Sequence, residues 1–131
     1  TEEIFTLISD KKKSIHLENF INIPENFSNN KLNKKWIELK KIRDICNISI
    51  EEKRANKEIG SSLEANLVIN LNAKLIQISE GVDFSELCIT SKAKIVKVDQ
   101  DEITVTTVKA EGKKCPVCWK INTKPCDRHF S

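Results

Sequence analysis

Methionine is absent from the 131 residues. The chain thus carries no initiator, and Thr1-Glu2-Glu3-Ile4-Phe5 reads as the middle of a helix cut from a longer protein. Glycine occurs only at positions 60, 81 and 112, too few and too scattered for a glycine-rich phosphate loop. No apolar run approaches the ~20 residues of a membrane-spanning helix. No secretory segment is visible, so nothing suggests an oxidising compartment. No nucleophile stands beside a base. Carboxylate pairs such as Glu51-Glu52 fall on the wet side of a helical pattern, with nothing apolar to raise a pKa. This stretch alone is not expected to catalyse a reaction. The net charge is only +3, so any nucleic-acid contact must come from local clustering.

What is present is concentrated at the end. Cys115 and Cys118 are separated by two residues, Cys126 and His129 likewise, and seven residues lie between the pairs. A two-residue gap turns the chain tightly enough to aim both side chains at one ion. Two such turns supply the four tetrahedral corners that Zn²⁺ prefers. Thiolate and imidazole suit zinc better than oxygen-seeking Mg²⁺ or Ca²⁺. Four protein ligands leave no position open for water, which makes the predicted site structural. Two other readings compete. A redox pair would open a helix after a strand, yet nothing amphipathic and helical follows Cys118. A disulfide framework sits poorly with five cysteines, an odd number.

The knuckle is basic. Lys109, Lys113, Lys114, Lys120, Lys124 and Arg128 face only Glu111 and Asp127, a balance of +4 that one Zn²⁺ with three thiolates reduces to +3. Trp119, beside the second ligand, either packs on the preceding β unit or offers a flat face to a base. Lys113, Lys114, Trp119, Lys120 and Arg128 are the candidate RNA-contacting residues.

Upstream, Ile4, Phe5, Leu7 and Ile8 predict a helix end closing at Ser9-Asp10, with Lys11-Lys12-Lys13 as a wet turn. Ser14 to Phe27, broken by Pro24 and asparagines, predicts an extended segment without a helix. Leu32, Trp36, Leu39, Ile42, Cys46 and Ile50 then recur at steps of three and four, one stripe of a long helix. Ser28-Asn29-Asn30 offers its N-cap and Gly60 its stop. From Lys31 to Glu58 nine basic residues oppose five acidic ones, which suits either a solvated face or a helix laid near an RNA backbone. Ser61-Ser62-Leu63-Glu64 has capping-box spacing. Leu67–Leu71 predicts a strand, 72–79 a short helix, 86–90 a second strand continued through 92–98, and 103–108 a third. Cys46 and Cys88 are expected to be buried thiols, and His16 has no partner for chemistry.

The expected fold class is α+β: the end of a helical bundle with one long helix, a small β-α-β-β module, and a zinc knuckle. The expected divisions are residues 1–60, 61–110 and 111–131. Several phrases together resemble the C-terminal region of bacterial-type isoleucyl-tRNA synthetases. They are Arg43-Asp44, Lys53-Arg54-Ala55-Asn56-Lys57, Ile59-Gly60-Ser61-Ser62-Leu63-Glu64-Ala65, and Glu111-Gly112-Lys113-Lys114-Cys115 followed by Cys118-Trp119. Glu2-Glu3-Ile4-Phe5 and Ser14-Ile15-His16-Leu17 resemble upstream family segments. The resemblance implies tRNA engagement near the anticodon by a cytoplasmic, monomeric ligase. Its ATP-binding and editing domains would lie upstream. It implies Cys115, Cys118 and Cys126 as zinc ligands, with His129 where the family usually has a fourth cysteine, and a shorter loop between the pairs. The finger alone is also similar to that of formamidopyrimidine-DNA glycosylases. The alternative is therefore a stand-alone nucleic-acid-binding zinc module.

Overall fold

The computed structural model describes residues 1–8 and 14–129. The predicted helix end at Ser9-Asp10 and the lysine turn at 11–13 lie outside the described residues. The chain forms two compact units, Thr1–Asn30 and Lys31–Ser131. In the first, helix α1 spans Glu2–Ile8, and short 3₁₀ turns at Ile15–Leu17 and Glu25–Phe27 interrupt the segment expected to be extended throughout. The first turn is local chemistry: the Ser14 side chain accepts from the His16 N–H. The Glu2 carboxylate accepts from the Ile15 N–H at 3.1 Å.

In the second unit the long helix α2 runs Asn30–Ala55. Leu39, Ile42, Cys46 and Ile50 of the expected stripe are buried, but Leu32 and Trp36 are 48% and 39% exposed. Periodicity gives a face, not the length over which that face has a partner. The helix stops before Gly60. Lys57 takes a left-handed φ of 60°, while the Glu58 N–H reaches back to Lys53 O and the Lys57 N–H to Arg54 O. That is a Schellman end built without glycine. Lys53 Nζ bonding to the Glu58 carboxylate at 2.9 Å helps hold it. The Ser61 side chain makes no cap bond; Ser62–Glu64 is a 3₁₀ turn, and the Glu64 carboxylate accepts from the Gly60 N–H.

Strands β1 (Ala65–Leu71), β2 (Lys92–Lys97) and β3 (Thr104–Lys109) form one sheet in the order β2-β1-β3. β1 lies parallel to β2 and antiparallel to β3. A parallel pair needs a crossover, and two short helices supply it: α3 (Ala73–Ile78) and α4 (Phe84–Leu87). Asn72 and Asp83 cap them through side-chain bonds to the N–H groups of Leu75 and Ser85.

The strand expected at 86–90 is thus corrected. Glu86 and Leu87 belong to α4, and the β-branched pair Ile89 and Thr90 sits in the turn after it, where Ile89 adopts φ 55° and the Thr90 N–H closes onto Ser85 O. The Asp83 cap and the geometric need for a crossover outweigh local β-propensity.

β1 alternates buried and half-buried residues along its length. Ala65, Leu67, Ile69 and Leu71 face α2, and with Leu39, Ile42, Cys46, Ile50 and Phe84 they make the core. Asn66, Val68 and Asn70 point the other way.

Candidate metal centre

Strand β4 (Lys113–Lys114) pairs antiparallel with β5 (Ile121–Asn122), and this small hairpin carries the first ligand pair. Its entry requires Gly112. The residue has φ 124°, and a Cβ there would lie 2.2 Å from the Asn122 carbonyl oxygen. No other residue fits both demands. Within the hairpin the Trp119 N–H bonds to Cys115 O and the Cys115 N–H to Lys120 O. In the second turn the His129 N–H bonds to Cys126 O. The two turns bring Cys115, Cys118, Cys126 and His129 together, with all four ligand atoms within 4.8 Å of one another.

The separations discriminate between chemistries. Cys118 Sγ to Cys126 Sγ is 3.8 Å, and His129 Nδ1 lies 3.5 Å from Cys115 Sγ and 3.4 Å from Cys126 Sγ. A disulfide would need sulfurs about 2.0 Å apart, and all five cysteines are free. A tetrahedral ion with sulfurs at about 2.3 Å and nitrogen at about 2.0 Å has edges of about 3.8 Å between sulfurs and about 3.5 Å from sulfur to nitrogen. The donor set and its spacing fit a metal ion, with Nδ1 as the histidine donor.

The Cys118 amide pulls the Cys115 thiol down to about 6, against its burial, helped by the Val117 amide and the Cys118 and His129 side chains. Cys115 is thereby poised as a thiolate at neutral pH, the form a metal binds. For Cys118 the Lys120 amide lowers the thiol, but burial and the nearby Cys115 and Cys126 sulfurs prevail and raise it.

The expected RNA-contacting residues divide by what they touch. Trp119 does not pack on the sheet: it is 58% exposed, at a left-handed φ of 65°. For an aromatic residue that backbone costs on the order of 1–2 kcal/mol. Lys114 Nζ stands 5.0 Å over its ring, a cation–π contact. Lys113 and Lys114 are exposed on the hairpin. Lys120 and Arg128 instead reach Glu86 of α4, with contacts of 2.7 and 3.2 Å, and Lys120 also reaches Ser85 Oγ.

Glu86 and Ser91 are positioning residues that the sequence reading missed. The Lys120 ammonium, first through its hydrogen bond and then its charge, holds the Glu86 carboxyl below its ordinary range, with Arg128 adding to this. That anchor is complete above the ordinary carboxylate range and lost as pH falls through the lowered value. Ser91 Oγ accepts the Ile121 N–H at 2.6 Å and donates to Leu63 O. Nothing local in the sequence marks either role, because both partners lie 25 or more residues away.

Cys46 and Cys88 are buried, as expected. They hydrogen-bond to each other, which raises Cys46 and lowers Cys88. Cys88 ends α4 instead of lying on a strand. No helix of the described residues is long and apolar enough to cross a membrane.

Fold and cluster together define a mixed α/β module that carries a tail able to bind a metal ion. No family model matches the chain. Among individual proteins, it is 67% identical over 98% of its length to the isoleucine–tRNA ligase of Pelagibacter ubique. It is 34% identical over 94% of its length to that of Agrobacterium fabrum, and 36% identical over 82% to that of Zymomonas mobilis. The chain belongs to the isoleucine–tRNA ligase family, as a segment from the C-terminal region. It spans 14%, 14% and 11% of the length of these three relatives. Because the match runs through nearly the whole chain, the comparisons give no support to a stand-alone zinc module.

Proposed function

We propose that this chain is the tRNA-engaging C-terminal region of a cytoplasmic, monomeric isoleucine–tRNA ligase, with one structural Zn²⁺ held by Cys115, Cys118, Cys126 and His129. In this reading the activation of isoleucine with ATP, and its transfer to tRNA, belong to other parts of the enzyme. Residues 1–60 continue a helical anticodon-binding domain, 61–110 form a junction module, and 111–131 are the metal-stapled tail. When bound, the metal supplies no reaction chemistry; it fixes two turns that few apolar contacts could hold.

The observation that carries the tRNA reading is the 67% identity to an isoleucine–tRNA ligase across nearly all of the chain. The contact side chains are then Lys113 and Lys114, for phosphate, and Trp119, for stacking on an unpaired base. Arg128, 63% exposed at its side chain, keeps donors free of its single ion pair, while Lys120, 18% exposed, serves chiefly to hold the knuckle to α4.

Charge reversal at Lys113 and Lys114 is expected to weaken binding of an isoleucine-acceptor tRNA at least tenfold and to flatten its dependence on salt. Chelation is expected to have a similar effect by releasing the knuckle. Titrations at two salt concentrations, with and without chelator, check both. Unchanged affinity in the charge-reversed variant would remove the tRNA reading of the hairpin.

A further inference from the structure

The metal centre accounts for three of the five cysteines. The other two, Cys46 and Cys88, lie far apart in the sequence and meet in the core. Cys46 stands on the buried stripe of α2, and Cys88 closes α4 as its C-cap. They are 0% and 4% exposed and belong to one cluster of packed side chains. A second contact joins the same two elements. Arg43, about one turn before Cys46 on α2, donates from Nε to the Leu87 carbonyl at 3.1 Å. The end of α4 is thus held against α2 at the thiols by a hydrogen bond as well as by packing.

A cysteine that serves only as a small hydrophobe needs no polar partner. These two hydrogen-bond to each other, so each sulfur already faces the other. The bond has a direction. Cys46 donates, and its thiol is pushed up by that bond and by burial. Cys88 accepts, and its thiol is lowered by the same bond, against burial, with the Arg43 charge adding to the effect. Cys88 is therefore the better nucleophile of the two. It is also the more accessible one. α4 is only four residues long, and the residue after Cys88, Ile89, is 57% exposed at a left-handed φ of 55°. A reagent as small as hydrogen peroxide reaches such an edge with little local opening.

We infer that Cys46 and Cys88 form a second thiol site, a reversible modification site at which hydrogen peroxide closes a disulfide between α2 and the end of α4. In the first step the Cys88 sulfur attacks one peroxide oxygen. The O–O bond breaks, water leaves, and Cys88 becomes a sulfenic acid. In the second the Cys46 sulfur displaces that oxygen, the Cys46 proton completes the departing water, and the S–S bond forms. The pair gives up two electrons and two protons, and the peroxide takes them up as two waters. A thiol reductant reverses the bond by exchange. The bond lies two residues from Glu86, which anchors Lys120 and Arg128. It therefore stiffens the element that holds the metal-bearing tail. The inference needs neither the tRNA reading nor the identity of the metal.

The test treats the whole zinc-loaded chain with hydrogen peroxide at neutral pH, unfolds it in an alkylating reagent, and maps its peptides by mass spectrometry. The expected result is a pair of peptides joined through Cys46 and Cys88, lighter by two hydrogens. Elemental analysis should find the metal still bound, and dithiothreitol should restore both thiols. Cys88→Ala is expected to lose the joined pair. Cys46→Ala is expected to hold the intermediate, so that dimedone tags Cys88. Circular dichroism shows whether these core variants fold, and the parent's peptide map decides the matter if they do not. If Cys46 and Cys88 of the parent are still alkylated once peroxide has oxidised the ligand cysteines and released the metal, the pair is core packing only and the inference falls. Cys88 driven to a sulfinic acid with no joined peptide overturns it equally. A folded Cys46→Ala variant that takes no dimedone at Cys88 overturns Cys88 as the thiol attacked.

Discussion

Cys115→Ser is expected to yield protein without stoichiometric metal, in which residues after Gly112 lose their ordered hairpin while α2 and the three-stranded sheet remain folded. Cys115 is the only residue from 111 to 129 that is buried. The knuckle therefore has almost no apolar burial to fall back on. Structural zinc contributes on the order of 10–16 kcal/mol of apparent binding energy in isolated fingers, far more than two short strands and a few surface contacts can replace. Serine keeps the size of the side chain and removes the thiolate, so the loss is chemical and not steric. Elemental analysis reads the metal, and amide exchange reads the hairpin. Collapse of the helix and sheet signals together with those of the hairpin would show that the knuckle and the core fold as one unit, against this expectation.

Ile69→Ala is expected to destabilise the core by about 2–5 kcal/mol. Ile69 is fully buried at the middle of β1, with Ile95 and Val105 as its register neighbours on the α2 face. The central strand cannot move toward one neighbour without leaving the other, so the cavity closes poorly. Against a typical total of about 5–15 kcal/mol, the loss is large. Val68→Ala, one residue earlier and on the open face, should cost less than about 1.5 kcal/mol. Urea unfolding of the two variants, read at the midpoint with the slope unchanged, separates them. Equal losses would mean that the two faces of the sheet are not the different environments described.

The contrast between those neighbours also shows what the sequence makes legible. The stripe through Leu39, Ile42, Cys46 and Ile50 and the strands near 67–71, 92–98 and 103–108 follow from local periodicity, and each is found with small changes of boundary. The four candidate ligands were legible because tight-turn spacing is itself local, and they converge. At 86–90 the β-branched residues after Glu86 favour a strand locally, and the Asp83 cap of α4 overrides them. Leu32 and Trp36 continue the stripe on paper, but periodicity carries no information about where the packing partner ends. Glu86, Ser91 and the pairing of β1 with both neighbours are long-range facts. No window of ten or fifteen residues contains both ends of any of them.

Ser91 has one more implication. Its hydroxyl is simultaneously the acceptor for the Ile121 amide and a donor to Leu63 O, in a residue only 5% exposed. The terminal lobe is thus grafted onto the module through a shared hydroxyl, and shortening the chain to residue 110 would strip that oxygen of its donor. A truncated module would carry the scar of the missing lobe in its own interior, so comparisons that delete the lobe to isolate its contribution will also report the damage left behind.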